Sequence, residues 1–175
     1  MVNWASYDDA YGPAGYVAAL HLASAIVSSV DRPRDAGDVR PQYAREIGVL
    51  RDLAERNLAL AESDTEFVYA LQALLAFENG GVWQRNLDSI AAGELSLQCP
   101  NCAEDLLLSL DEFTTGTWGD ERPTTVEPGD ARGSRMLELA DRHGRREVAA
   151  QIPYLLGRTT CPACRREISI PTAVI

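Results

Sequence analysis

Two short cysteine pairs restrict this chain more than any other feature. Its four cysteines stand as Cys99-Pro100-Asn101-Cys102 and Cys161-Pro162-Ala163-Cys164. Two thiolates separated by two residues can both turn toward one ion, and two such pairs complete a tetrahedron around zinc, which has no geometric preference of its own. No cysteine is left over. Apolar residues alternate around the pairs: Leu95 and Leu97 before the first, Leu106, Leu108 and Leu110 after it, Ile168 and Ile170 after the second. This period of two predicts short strands. The expectation is a zinc ribbon holding one structural zinc on Cys99, Cys102, Cys161 and Cys164.

The 58 residues from 103 to 160 separate the pairs, against roughly 15 to 20 in a compact ribbon. The ribbon is therefore split by an insertion, and the metal ties the end of the chain back onto its middle, closing a long loop. Redox pairs would need a thioredoxin-like strand and helix setting, and disulfides suit a cytosolic chain poorly. A catalytic zinc needs an open ligand position, which four thiolates do not leave.

Helical patterns precede the first pair. The stretch from Ala14 to Val30 has no Asp, Glu, Lys or Arg but is only 17 residues long and is interrupted by His21, Ser24, Ser28 and Ser29. A membrane span needs about 20 apolar residues, so the segment reads as a central helix buried on most sides. Tyr43, Ile47, Leu50, Ala54, Leu58 and Ala61 recur at steps of three and four, the stripe of a long amphipathic helix. Ser63 and Glu66 have capping-box spacing at the start of a third helix carrying Phe67, Leu71, Leu74 and Leu75. Asn79-Gly80-Gly81 stops it, and Trp83, Leu87, Ile90 and Ala91 mark a shorter helix that Gly93 closes.

Asp111 to Gly133 is rich in Thr, Gly, Pro and acids, with Pro123 and Pro128 opposing a continuous helix or central strand. It is expected to be an irregular surface loop. Met136, Leu137, Ala140, Val148, Ile152, Leu155 and Leu156 restore helical spacing, giving two helices over about 134–157, the second kinked or shortened by Pro153. The fold class expected is mainly α with a small split zinc-ribbon β element. A helical domain spans 1–93 and the ribbon with its helical insertion spans 94–175, packed as one unit.

Composition and charge narrow the chemistry. The chain is 46% hydrophobic and 24% charged, inside the globular range. Asp8 and Asp9 stand where a secretory segment would be positive, which points to the cytoplasm. All sixteen basic residues are Arg, so Schiff-base and phosphate-loop lysine chemistry is closed. With the thiols committed to metal, only His21 and His143 offer imidazoles: the first reads as a core residue, the second as a helix-end residue. The balance leans away from an enzyme.

The net charge of −10 is uneven: residues 1–131 hold 8 Arg against 22 acids, and residues 132–175 hold 8 Arg against 4 acids. Arg142, Arg145, Arg146, Arg158, Arg165 and Arg166 are candidate contacts for phosphates or for an acidic protein. Little aromatic interleaving and the acidic remainder disfavour nucleic acid. Trp118, in the Thr- and Gly-rich loop with no apolar stripe to explain it, is the best aromatic contact candidate.

Trp4 with Ala10-Tyr11-Gly12-Pro13-Ala14, the Gly80-Gly81-Val82-Trp83 turn and the split Cys-Pro-X-Cys knuckles resemble uncharacterised bacterial proteins built from HEAT-like helical pairs with a zinc ribbon at the end. Such knuckles often carry glycine after the second cysteine; here Ala103 and Arg165 stand instead, so the local turn is expected to differ. The resemblance implies stacked helices whose exposed face serves protein recognition, and no reaction. A noncatalytic protein-interaction module (adaptor, regulator or inhibitory partner) is therefore the first functional expectation, with another protein as partner and no membrane. Nucleic-acid binding through the Arg cluster is the second. A small-molecule binder or enzyme is the third, needing a cleft at loop 111–133 that brings His21 or Trp118 to carboxylates such as Asp8 or Glu112.

Overall fold

The computed structural model describes residues 13–29, 40–117 and 123–175. The chain forms two compact units, Met1–Leu87 and Asp88–Ile175. Among the described residues no helix is long and apolar enough to cross a membrane.

The first unit contains α1 (Pro13–Ser29), α2 (Ala44–Leu60), α3 (Asp64–Glu78) and the single turn α4 (Trp83–Asn86). Its central helix is α3, not α1 as charge content alone had indicated. Phe67, Val68 and every residue from Ala70 to Phe77 are buried, and α3 packs against α1, α2 and α4. On α1 the described buried side chains are Leu20, Ser24 and Ser28, while Leu22 and Ile26 lie outside. A helix without charges carries no contrast between faces, so its sequence cannot reveal which side turns inward. Of the stripe expected on the second helix, Ile47, Ala54 and Leu58 are buried, Leu50 and Ala61 are half-buried, and Tyr43, which precedes the helix, is exposed.

Both ends of α3 are satisfied by side chains or turn geometry. Ser63 Oγ accepts from Glu66 N at 3.2 Å, and the Glu66 carboxylate accepts from Glu62 N at 2.8 Å. That is the capping box displaced by one backbone position. At the other end Asn79 takes φ 61° and Gly80 N donates to Leu75 O at 2.7 Å, a left-handed stop. Arg40, unremarkable in sequence, donates to Ala76 O at 3.0 Å and to Gln84 Oε1 at 3.3 Å, supplying positive charge where the α3 carbonyls end.

The second unit begins with the turn α5 (Ser89–Ala92). The single helix expected from Trp83 to Ala91 is thus two separate turns, and Gly93 at φ 75° ends the second. There follow β1 (Glu94–Gln98), β2 (Asp105–Ser109), β3 (Thr114–Gly116), β4 (Thr124–Thr125), α6 (Arg135–Arg142), α7 (Arg146–Leu155), β5 (Arg158–Thr160), β6 (Glu167–Ser169) and α8 (Ile170–Ala173). Strands β1 to β4 form an antiparallel sheet in chain order, and β5 and β6 form a second. The mainly-α expectation holds for the first unit; the second is mixed.

The irregular loop expected over 111–133 is corrected by β3 and β4. Thr114 pairs with Thr125 and Thr115 with Thr124, and Val126 and Ala131 are buried. Threonine suits a pleated surface, and the prolines stand outside the pairing, Pro123 just before β4 and Pro128 after Glu127. Ile170, expected in the last strand, instead opens α8, followed by Pro171.

Main-chain pairing in this unit runs almost in a circuit. One isolated bridge joins Glu127 to Arg158 and another joins Leu97 to Val174, so β4 connects to β5 and the chain end returns to β1. At the seam between the sheets, Thr115 Oγ1 lies 2.8 Å from both Thr124 Oγ1 and Thr159 Oγ1. Thr159 donates to Thr125 O at 3.1 Å and Thr124 to Thr160 O at 2.7 Å. Buried hydroxyls are tolerated when each finds a partner, and here they find one another.

Candidate metal centre

The two knuckles are built alike. Each begins where a strand ends, β1 at Gln98 and β5 at Thr160. In the first, Cys99 N donates to Glu104 O at 2.8 Å and Ala103 N to Cys99 O at 2.8 Å. In the second, Cys161 N donates to Arg166 O and Arg165 N to Cys161 O, both at 2.9 Å. Ala103 and Arg165 have φ values of 58° and 60°. Both non-glycine residues therefore adopt the left-handed turn that glycine would favour, and the expected departure in local turn is not found.

The strand pairings bring the knuckles together at one end of the unit. All four Sγ atoms lie within 4.8 Å of one another. Cys99 and Cys164 approach to 3.7 Å and Cys102 and Cys161 to 3.8 Å. A regular tetrahedron with metal–sulfur bonds of about 2.3 Å has edges of about 3.8 Å. The sulfurs are thus spaced for one tetrahedral ion and lie well beyond disulfide bonding distance. The set can hold one metal ion, as a split zinc ribbon requires.

Backbone N–H groups favour charge on one sulfur and are outweighed at two others. Burial opposes ionisation of Cys99, but the N–H groups of Asn101 and Cys102 and the neighbouring thiols outweigh it, lowering the thiol to about 6. Cys102 receives the N–H of Glu104, yet desolvation and the crowded sulfurs push it up to about 12. Burial likewise raises Cys161 despite the N–H groups of Cys164 and Ala163. The crowded sulfurs thus favour one charge, on Cys99, over several; a divalent ion bound among them would favour all four. Occupied, it carries four thiolate charges against two positive ones and has no open position.

The arginine candidates divide. Arg142 is paired with Glu138 on α6. Arg158 lies 3.1 Å from Glu127 and 3.8 Å from Glu167. Arg145 is half-buried at the start of α7, whereas Arg146, Arg165 and Arg166 are exposed. Arg166 also serves the knuckle through its carbonyl oxygen. Trp118 and Asp8 lie outside the described residues, as does the side chain of His21 on α1; Glu112 is exposed in the turn after β2, and His143 is half-buried at the end of α6. The threonine seam was not found from sequence, although Thr114, Thr115, Thr124, Thr125, Thr159 and Thr160 stand as three adjacent pairs that could have signalled it. No family model matches the chain, and no curated protein or solved structure matches it.

Proposed function

We propose that this chain is a noncatalytic protein-interaction module, an adaptor, regulator or inhibitory partner, in which one structural zinc on Cys99, Cys102, Cys161 and Cys164 clasps the second unit. The observation that carries this reading is the outer side of α1. The helix has no charged residue, and Leu22 and Ile26, one turn apart, are 65% and 57% exposed. Neighbouring exposed apolar side chains on an uncharged helix suit a protein partner better than water. Packing of α3 against both α1 and α2 supports HEAT-like pairing, and a closed thiolate set supports a structural role for the metal.

Nucleic-acid binding is kept as a second reading because Arg146, Arg165 and Arg166 are exposed. Against it stand the acids already paired with Arg142 and Arg158 and the net charge of −10, which repels a polyanion. The test is mild co-purification of the zinc-loaded chain from native extract, with protein and nucleic acid read in the same fraction. A stoichiometric protein companion that is lost in the double variant Leu22→Asp, Ile26→Asp supports the proposal. Nucleic acid lost at high salt and in Arg146→Ala, Arg165→Ala transfers it to the second reading.

A further inference from the structure

The four thiols are not equivalent. Cys99 and Cys161, which open the knuckles, are buried, while Cys102 is exposed and Cys164 half-buried. Four thiolates around one cation are all charged, so access is what distinguishes them to an oxidant. Exposure selects Cys102. Its neighbour across the knuckles, Cys161, lies 3.8 Å away.

The metal is also not the only clasp on the second knuckle. The Thr115, Thr124 and Thr159 hydroxyls and the Glu127–Arg158 bridge hold β5, while the Leu97–Val174 bridge holds the chain beyond α8. Metal loss therefore frees the knuckle tips without removing what joins the sheets.

We propose that the thiolate cluster is an oxidation-sensitive catch, opened by hydrogen peroxide at Cys102; this rests on the zinc reading above. The Cys102 thiolate attacks a peroxide oxygen, the O–O bond breaks and hydroxide leaves, so that sulfur loses two electrons and becomes a sulfenic acid. The Cys161 thiolate then attacks that sulfur, the S–O bond breaks, a second hydroxide leaves and a disulfide forms. Two thiolates and one peroxide become one disulfide and two hydroxides. A cation left with two ligands dissociates, and the segments 99–104 and 161–166 loosen while the threonine seam stays closed. A thiol reductant with zinc restores the starting state.

The experiment begins by measuring zinc in the full chain, because a chain isolated without zinc under metal-replete conditions overturns the zinc reading and this proposal together. The zinc-loaded chain is then treated with substoichiometric hydrogen peroxide, a sulfenic-acid label and a chromophoric zinc chelator. Zinc release is expected to follow the peroxide consumed, with label about tenfold higher on Cys102 than on Cys99 or Cys161. Faster hydrogen exchange is expected only around the two knuckles, reversed by reductant and zinc. Retention of the metal by a zinc-loaded chain overturns the catch alone. So does first labelling at a buried cysteine, or exchange that rises through β3, β4 and β5.

Discussion

At the scale of single residues, the most informative positions are those whose backbone does what the side chain resists. Ala103 and Arg165 sit at positive φ in the same place in the two knuckles, a conformation that disfavours residues with a Cβ. The paired hydrogen bonds of each knuckle hold them there. Replacing either by glycine is expected to stabilise the metal-loaded protein by up to about 1 kcal/mol, as read by urea unfolding at fixed zinc. Gly129 and Gly157 show the opposite dependence. A Cβ on Gly129 would lie 2.0 Å from Leu156 O, and one on Gly157 would lie 2.2 Å from Glu127 O. These two segments pass each other backbone to backbone where the bridge between the sheets begins. Gly157→Ala is expected to cost more than about 3 kcal/mol by the same measurement, since backbone cannot yield as a flexible side chain would. The need for glycine at 157 is invisible in sequence, because it comes from a segment roughly thirty residues away along the chain.

At the scale of elements, legibility followed contrast. The second helix alternates charged and apolar faces, and its buried stripe was readable as Ile47, Ala54 and Leu58. The Ser63 and Glu66 cap was also readable, being a local pattern. Ser63→Ala is expected to destabilise the first unit by about 1 kcal/mol, seen as a shift in its unfolding midpoint. By contrast, α1 has no charge to mark a face, and α3 is apolar nearly all round, so which of them lies at the centre was decided by packing. The segment from Asp111 to Gly133 was misread because two- and three-residue strands are too short to show a period. They exist because β2 offers an edge and because three hydroxyls meet at the seam. Thr159→Val keeps the shape but removes a donor from Thr125 O and a partner from Thr115. The expected cost is about 1 to 3 kcal/mol, and Thr159→Ser, which restores the hydroxyl, is expected to recover part of it in the same assay.

At the scale of the whole molecule, the chain is two compact units with different sources of stability. The first relies on burial around α3; the second joins its own buried apolar residues, Leu97, Leu108 and Leu139 among them, to a polar seam and to four thiols placed for one metal ion. Protons compete with metal for thiolates, so lowering the pH of the zinc-loaded protein is expected to release zinc and raising it to favour uptake. Exchange mass spectrometry across that acid transition is expected to show faster exchange at 99–104 and 161–166, while the α3 amides remain protected. Loss of α3 protection in step with zinc release would show that the clasp supports the whole chain and not one end of one unit.

The sequence by itself singled out the four thiols that cluster at metal-binding distance, because two Cys-Pro-X-Cys pairs can turn all four toward one point. It also determined the helices whose faces differ in polarity and the cap that starts α3, since these depend on neighbours three or four residues apart. Only the tertiary structure decided which helix is central, that a threonine-rich stretch becomes strand, that Gly157 admits no Cβ, and that the pairing runs nearly in a circuit. Each of these depends on a partner distant in the chain. Local periodicity carries no information about contacts made only once the chain has closed on itself.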